Sequence, residues 1–91
     1  MEKRVHVFYS GRVQGVGFRV TAEETARRLG VVGWVKNLRD GRVELVAEGD
    51  ERMLMRFLDE IRVGPMRNFI KHVEAMWSAS ANDFEDFEIQ Y

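Results

Sequence analysis

The chain has 91 residues, 45% apolar and 32% charged, with a formal net charge of −1. That length supports one domain, residues 1–91, around one hydrophobic core. The near-neutral charge excludes a broad nucleic-acid or anionic-membrane footprint and leaves room for one local basic site. There is no cysteine, so a disulfide framework, a thiol nucleophile and a Cys-ligated metal are all excluded. The absence of cysteine fits a cytoplasmic protein. The opening residues MEKRVHVFYSG carry charge without a long apolar run, so neither a signal peptide nor a membrane span is expected.

The first expected strand is Val5 to Tyr9, rich in β-branched and aromatic residues. A loop bearing Gly11, Gly15 and Gly17 follows. Phe18, Ala22, Ala26 and Leu29 then recur at helical spacing, which predicts an amphipathic helix with one narrow apolar stripe. Thr21 and Glu24 have the spacing of a capping box, yet the stripe begins at Phe18, so the first turn is expected between Phe18 and Thr21. Gly30 is placed to end the helix. Val31 to Leu38 reads as the second strand. Asp40-Gly41 is a hairpin signal, leading into a third strand from Arg42 to Glu48. Asp50 can cap a second helix that runs through Arg62, with Leu54, Phe57, Leu58 and Ile61 as its buried stripe. Gly64-Pro65 stops it. Ile70 to Ser78 is the fourth strand, and a polar loop SASAND leads to a last short strand, Phe84 to Tyr91.

The order β-α-β-β-α-β with an extra terminal strand is the pattern of a ferredoxin-like α+β sandwich, a mixed sheet with two helices on one face. A strand-helix-strand crossover makes the first two strands parallel. Their carboxyl ends therefore share one end of the sheet. The third strand, tied to the second by the hairpin, can slot between them. The glycine loop and the Lys36-Asn37 end of the second strand are then expected to face the same patch of solvent.

The run SGRVQGVGFRV, Ser10 to Val20, carries the most chemical information. Glycine lets consecutive backbone N–H groups converge and lets the main chain approach a ligand. A loop of this kind feeding a helix N-terminus concentrates partial positive charge. Arg19 adds a planar fork that matches phosphate oxygens. Read from the residues alone, the loop is either an anion cradle sized for one phosphoryl group or a tight turn with Arg19 in solvent. It is neither a Walker loop nor a dinucleotide fingerprint. GVGFRV superficially resembles an RNA-binding aromatic motif, but it falls between a strand and a helix rather than on a central strand.

Other chemistry is largely excluded. His6 and His72 are isolated, with no second ligand at metal spacing. Ser10, Ser78 and Ser80 have no local base for a hydrolase triad. Met53, Met55 and Met76 read as core filler or surface, and Trp34 and Trp77 are expected in or beside the core. What remains is a cradle, Arg19 and a neutral amide, Asn37. Such an inventory suits a substrate that is already reactive and needs only positioning and charge neutralisation.

These residues resemble a family. GRVQGVGFR (Gly11 to Arg19), EETARRLGVVGW and GWVKNLRDGRVELVAEG (Gly33 to Gly49) are similar to the acylphosphatases, as are Gly64-Pro65 and the ending FEIQY. The resemblance covers essentially the whole chain. It implies hydrolysis of the carboxyl-phosphate mixed anhydride of acyl phosphates to carboxylate and phosphate, with no metal, no cofactor and no phosphoenzyme. By the same resemblance Gln14, Gly15, Val16, Gly17, Phe18 and Arg19 bind the phosphoryl group. Arg19 is the catalytic phosphate ligand, Asn37 orients the attacking water, and the substrate's own phosphate accepts the proton. Val20 and Thr21 stand where the family often has bulky or aromatic residues, and Gln90 where it usually has arginine. The expected ligands are a small acyl phosphate, with phosphate or sulfate as competing anions, and neither nucleic acid nor membrane. A monomer is expected. The rival reading is a ferredoxin-like module that binds a phosphoryl ligand without turnover.

Overall fold

Alternation in the first strand sets the layering of the molecule. Val5, Val7 and Tyr9 are almost wholly buried, whereas Arg4, His6, Phe8 and Ser10 between them are half-buried on the opposite face, as the two-residue period of a strand requires. A computed structural model describes residues 1–91. In chain order the elements are β1 (Glu2–Gly11), α1 (Phe18–Leu29), β2 (Val32–Asn37), β3 (Val43–Asp50), α2 (Glu51–Val63), β4 (Ile70–Ala79) and β5 (Phe87–Gln90). The sheet order is β4-β1-β3-β2-β5. β1 pairs antiparallel with β3 and β4, β2 pairs antiparallel with β3, and β5 joins β2 in parallel. α1 lies over β2 and β5, and α2 over β3 and β1. The fold is the ferredoxin-like sandwich expected from the element order.

The core joins Val5, Val7, Val35, Leu45 and Ala47 of the sheet to Phe18, Ala22 and Ala26 of α1 and to Leu54, Phe57 and Ile61 of α2. Phe57 and Phe87 meet edge to face at 5.9 Å, which fastens the short β5 to α2. Each fully buried side chain of this size contributes roughly 1.5–3 kcal/mol. Asp50 caps α2 as expected, its carboxylate accepting from the Arg52 N–H at 3.0 Å. Leu58 is only half-buried and lies at the border of that stripe.

Several boundaries differ from the sequence expectation. β1 begins at Glu2 rather than Val5, because cross-strand pairing of Glu2, Lys3 and Arg4 with Asp50, Gly49 and Glu48 extends the ladder into charged residues. β5 begins at Phe87, because its partner β2 offers only a short edge. Phe84 instead sits in the preceding loop, with the Arg4 guanidinium 5.5 Å from its ring centre. The start of α1 is as expected: the helix begins at Phe18 in preference to a Thr21–Glu24 capping box, and Thr21 donates its N–H to the Gly17 carbonyl from inside the first turn. Trp77, on the helix side of β4, is 45% exposed because two helices do not cover five strands, and Trp34 is half-buried on the opposite, uncovered face.

Glu48 is the buried charge of the uncovered face, at 2% exposure. Its carboxylate accepts from the Ala81 N–H at 2.9 Å, the Ser80 hydroxyl at 3.1 Å and Arg4 at 3.3 Å. Burial alone would favour the protonated form. The hydrogen bonds from Ala81 and Ser80 and the charge of Arg4 outweigh it and hold the pKa below the ordinary carboxylate value. Glu48 thereby fastens the Ser80–Asp86 loop that delivers β5. Because the folded pKa is depressed, this stabilisation is complete above the unfolded value near ~4.3 and is lost as pH falls through the folded value. Glu48→Gln should destabilise the fold by about 1.5–3 kcal/mol at neutral pH. In urea titrations the gap between wild type and variant should shrink below about pH 4. An unchanged gap would exclude the charge as the source.

Candidate active site

The loop between β1 and α1 is shaped by two glycines. Gly15 and Gly17 have φ of 77° and 84°, left-handed conformations that side chains with a Cβ rarely adopt. Gly17 is also the N-cap of α1 and offers no side chain to cap it. The first-turn N–H groups, at Phe18, Arg19 and Val20, therefore retain their donor capacity and their share of the helix dipole.

Strand pleating brings Asn37 to the same place. Lys36 pairs opposite Glu44 on the uncovered face, so Asn37, the last residue of β2, opposite Val43, points to the helix side. There it meets the N-terminus of α1. A pocket of about 90 Å³ is lined by Val13, Gly15, Gly17, Phe18, Arg19, Val20 and Asn37. Its wall contains no Asp, Glu or His. Asn37 Oδ1 is buried and has no hydrogen-bond partner. Leaving a buried acceptor unpaired costs about 1–3 kcal/mol, a cost that the packing around Asn37 does not offset with any protein donor.

The expected site residues separate into two groups. Gly15, Gly17, Phe18, Arg19 and Asn37 share the pocket. Gln14 turns its side chain away, donating from Nε2 to the Leu38 carbonyl at 2.7 Å and to the Arg42 carbonyl at 2.9 Å. Val16 is half-buried against the core. Gln14 therefore ties the loop to the β2–β3 hairpin directly beside Asn37. Arg19 forms no ion pair. Its guanidinium lies 4.9 Å from the ring centre of Tyr91, a cation–π contact worth about 0.5–1 kcal/mol when exposed. Sequence reasoning missed both contacts, since neither has a local spacing signal. Phe18 is buried against Tyr9, with ring centres 4.8 Å apart, and anchors the helix start beneath the loop.

The molecule is thus a ferredoxin-like α+β domain in which a glycine-shaped loop, the first turn of α1, Arg19 and Asn37 share one pocket. The family model described as acylphosphatase matches residues 5–89, and the chain belongs to that family. It is 43% identical over 86 residues to an acylphosphatase of Roseiflexus sp. (strain RS-1), covering 94% of this chain and 92% of that one. It is 45% identical over 87 residues to an acylphosphatase of Methylococcus capsulatus, covering 96% and 95%. The crystal structure of acylphosphatase from Bacillus subtilis superposes with a TM-score of 0.91 at 36% identity, covering 98% of this chain and 99% of that one. The protein is thus a hydrolase acting on acyl phosphates.

Gln14→Ala should release the loop from the hairpin. Two hydrogen bonds at about 0.5–1.5 kcal/mol each predict a loss of about 1–3 kcal/mol in chemical denaturation. Turnover of the folded variant should fall as well, because Asn37 and the loop lose their common tether. Full turnover in a destabilised variant would restrict Gln14 to folding.

Proposed function

We propose that the loop from Gln14 to Arg19 holds the phosphoryl group of an acyl phosphate through its backbone N–H groups, with Arg19 as a paired ligand for two phosphate oxygens. Asn37 Oδ1 accepts a hydrogen bond from a water aimed at phosphorus. The water oxygen bonds to phosphorus as the bond from phosphorus to the acyl oxygen breaks. The electron pair leaves with the carboxylate, and a phosphoryl oxygen takes the water's proton. No side-chain base is needed, because a mixed anhydride has a good leaving group and its own phosphate is basic. The observation that carries this reading is that Arg19 and Asn37, whose buried Oδ1 has no hydrogen-bond partner, line one pocket.

The reaction is metal-independent in this reading, since loop dipole and guanidinium supply the positive charge. Phosphate and sulfate compete with substrate for the same donors. The enzyme works as a cytoplasmic monomer and binds neither nucleic acid nor membrane.

Asn37→Ala should lower kcat for benzoyl phosphate by about 10²–10³, the usual loss for one preorganised polar contact, with little change in KM. Asn37→Asp should in addition weaken phosphate inhibition, because it sets a carboxylate beside the phosphoryl oxygens. Wild-type kcat in a folded Asn37→Ala would remove this residue from the mechanism. No turnover by the native chain would instead leave the non-catalytic binding module.

Arg19→Lys should restore little of the phosphate competition lost in Arg19→Ala, since an ammonium cannot make the paired contacts of a guanidinium. Inhibition constants for phosphate in the three proteins test this, and equal constants would place the anion elsewhere. Chelator-treated enzyme should keep its rate. Loss of rate that a divalent cation restores would overturn the metal-free scheme.

A further inference from the structure

The helix layer ends before the sheet does. α1 and α2 lie over β5, β2, β3 and β1, so the helix-side residues of the edge strand β4 have no covering element. Val73 is 39% exposed and Trp77 45% exposed. With Met55 and Leu58 of α2 they wall a groove of about 230 Å³, and Tyr9 forms its floor. This groove is separate from the Arg19 pocket, with which it shares no lining residue.

Tyr9 makes the groove more than an apolar gap. The residue is 1% exposed, and its hydroxyl has no protein hydrogen-bond partner. Tyr9 lines the groove and keeps only that small accessible area. Burial pushes the phenol pKa up, so the hydroxyl stays neutral and can both donate and accept. At the rim, Asp59 and Arg62 pair with one another at 2.7 Å and leave no spare charge. The site therefore combines apolar walls, one buried neutral hydrogen-bonding group and a self-neutralised rim. That combination selects an uncharged ligand with an apolar body and one polar substituent. Size narrows it further: a cavity of about 150 Å³ holds benzene, so this groove accommodates one ring with a small substituent.

We propose that the α2–β4 groove is a second ligand site, for a neutral single-ring compound bearing one hydroxyl or carbonyl group, its ring against Leu58 and Trp77 and its polar group hydrogen-bonded to the Tyr9 hydroxyl. The opposing side of the floor reaches the active site, because the Tyr9 ring packs on Phe18, which lines the Arg19 pocket.

Phenol and toluene serve as the probes, followed by amide and indole chemical shifts in the full chain. Phenol should shift Leu58, Val73 and Trp77 along one saturable curve. Tyr9→Phe removes only an unpartnered hydroxyl and should fold normally. It should weaken phenol binding by about threefold to tenfold, the worth of one hydrogen bond, and leave toluene binding unchanged. Val73→Asp, at an exposed position, should abolish binding of both. The proposal is overturned if Tyr9→Phe binds phenol as well as wild type, or if the shifts scatter outside the groove. It is also overturned if concentration-dependent shifts of Val73 and Trp77 without any probe show the groove to be covered by a second copy of the chain.

Discussion

The position of β3 between β1 and β2 is the constraint on which the rest depends. Both neighbours run antiparallel to it, so they run parallel to each other and end together. The loop after β1 and the end of β2 are thus brought to one end of the sheet although the two strands do not pair with each other. The β2–β3 hairpin carries the Leu38 and Arg42 carbonyls to which Gln14 donates. Strand order alone sets loop and Asn37 at one end of the sheet; Gln14 then holds them at a fixed separation.

The site is assembled from groups that a purely structural solution would have satisfied. α1 begins without a side-chain cap, where a Ser, Thr or Asp at the N-cap typically contributes about 1 kcal/mol. Gly15 and Gly17 add unfolded-state entropy, and Asn37 Oδ1 is buried without a partner. Arg19 has an aromatic ring beside it but no carboxylate, although the chain pairs many of its other arginines with acids. In the proposed scheme these unpaired groups are the ones that the anionic substrate and the water engage. The stability forgone there is offset by the Val, Leu and Phe core beneath and by the hydrogen bonds gathered on Glu48.

The same economy leaves the β4 edge open. Two helices of twelve and thirteen residues cannot cover five strands, and the layer is centred where the crossovers bring it. Trp77 and Val73 remain accessible on a face that the alternation of β4 alone would assign to the core. The sheet's other face is shielded instead by its own side chains, as where the Arg42 guanidinium lies 4.6 Å from the Phe8 ring centre and His6 meets Glu44 at 2.7 Å.

Local pattern was sufficient for the element order, for the stripe Phe18–Ala22–Ala26, for the Asp50 cap and for the glycine loop leading to Arg19, because each is carried by neighbours within a few residues. From that order the shared end of β1 and β2 followed by geometry, and with it the meeting of the loop and Asn37. The Thr21–Glu24 spacing offered a capping box, but a capping residue lies outside the helix and Thr21 lies inside it, as the stripe beginning at Phe18 led one to expect. Packing of Phe18 on Tyr9 favours starting the helix three residues earlier. The turning of Gln14 toward the hairpin, the placing of Tyr91 beside Arg19, the unpaired state of Asn37 Oδ1 and the exposure of Trp77 have no local spacing to announce them. Each depends on residues distant in sequence meeting, or failing to meet, once the sheet and the helices are packed. Sequence by itself determined which chemical groups were present and at which end of the sheet they lie; tertiary structure decided which of them are spent on holding the fold and which stay free, because a hydrogen-bonding group can be satisfied only by the neighbour that packing brings to it.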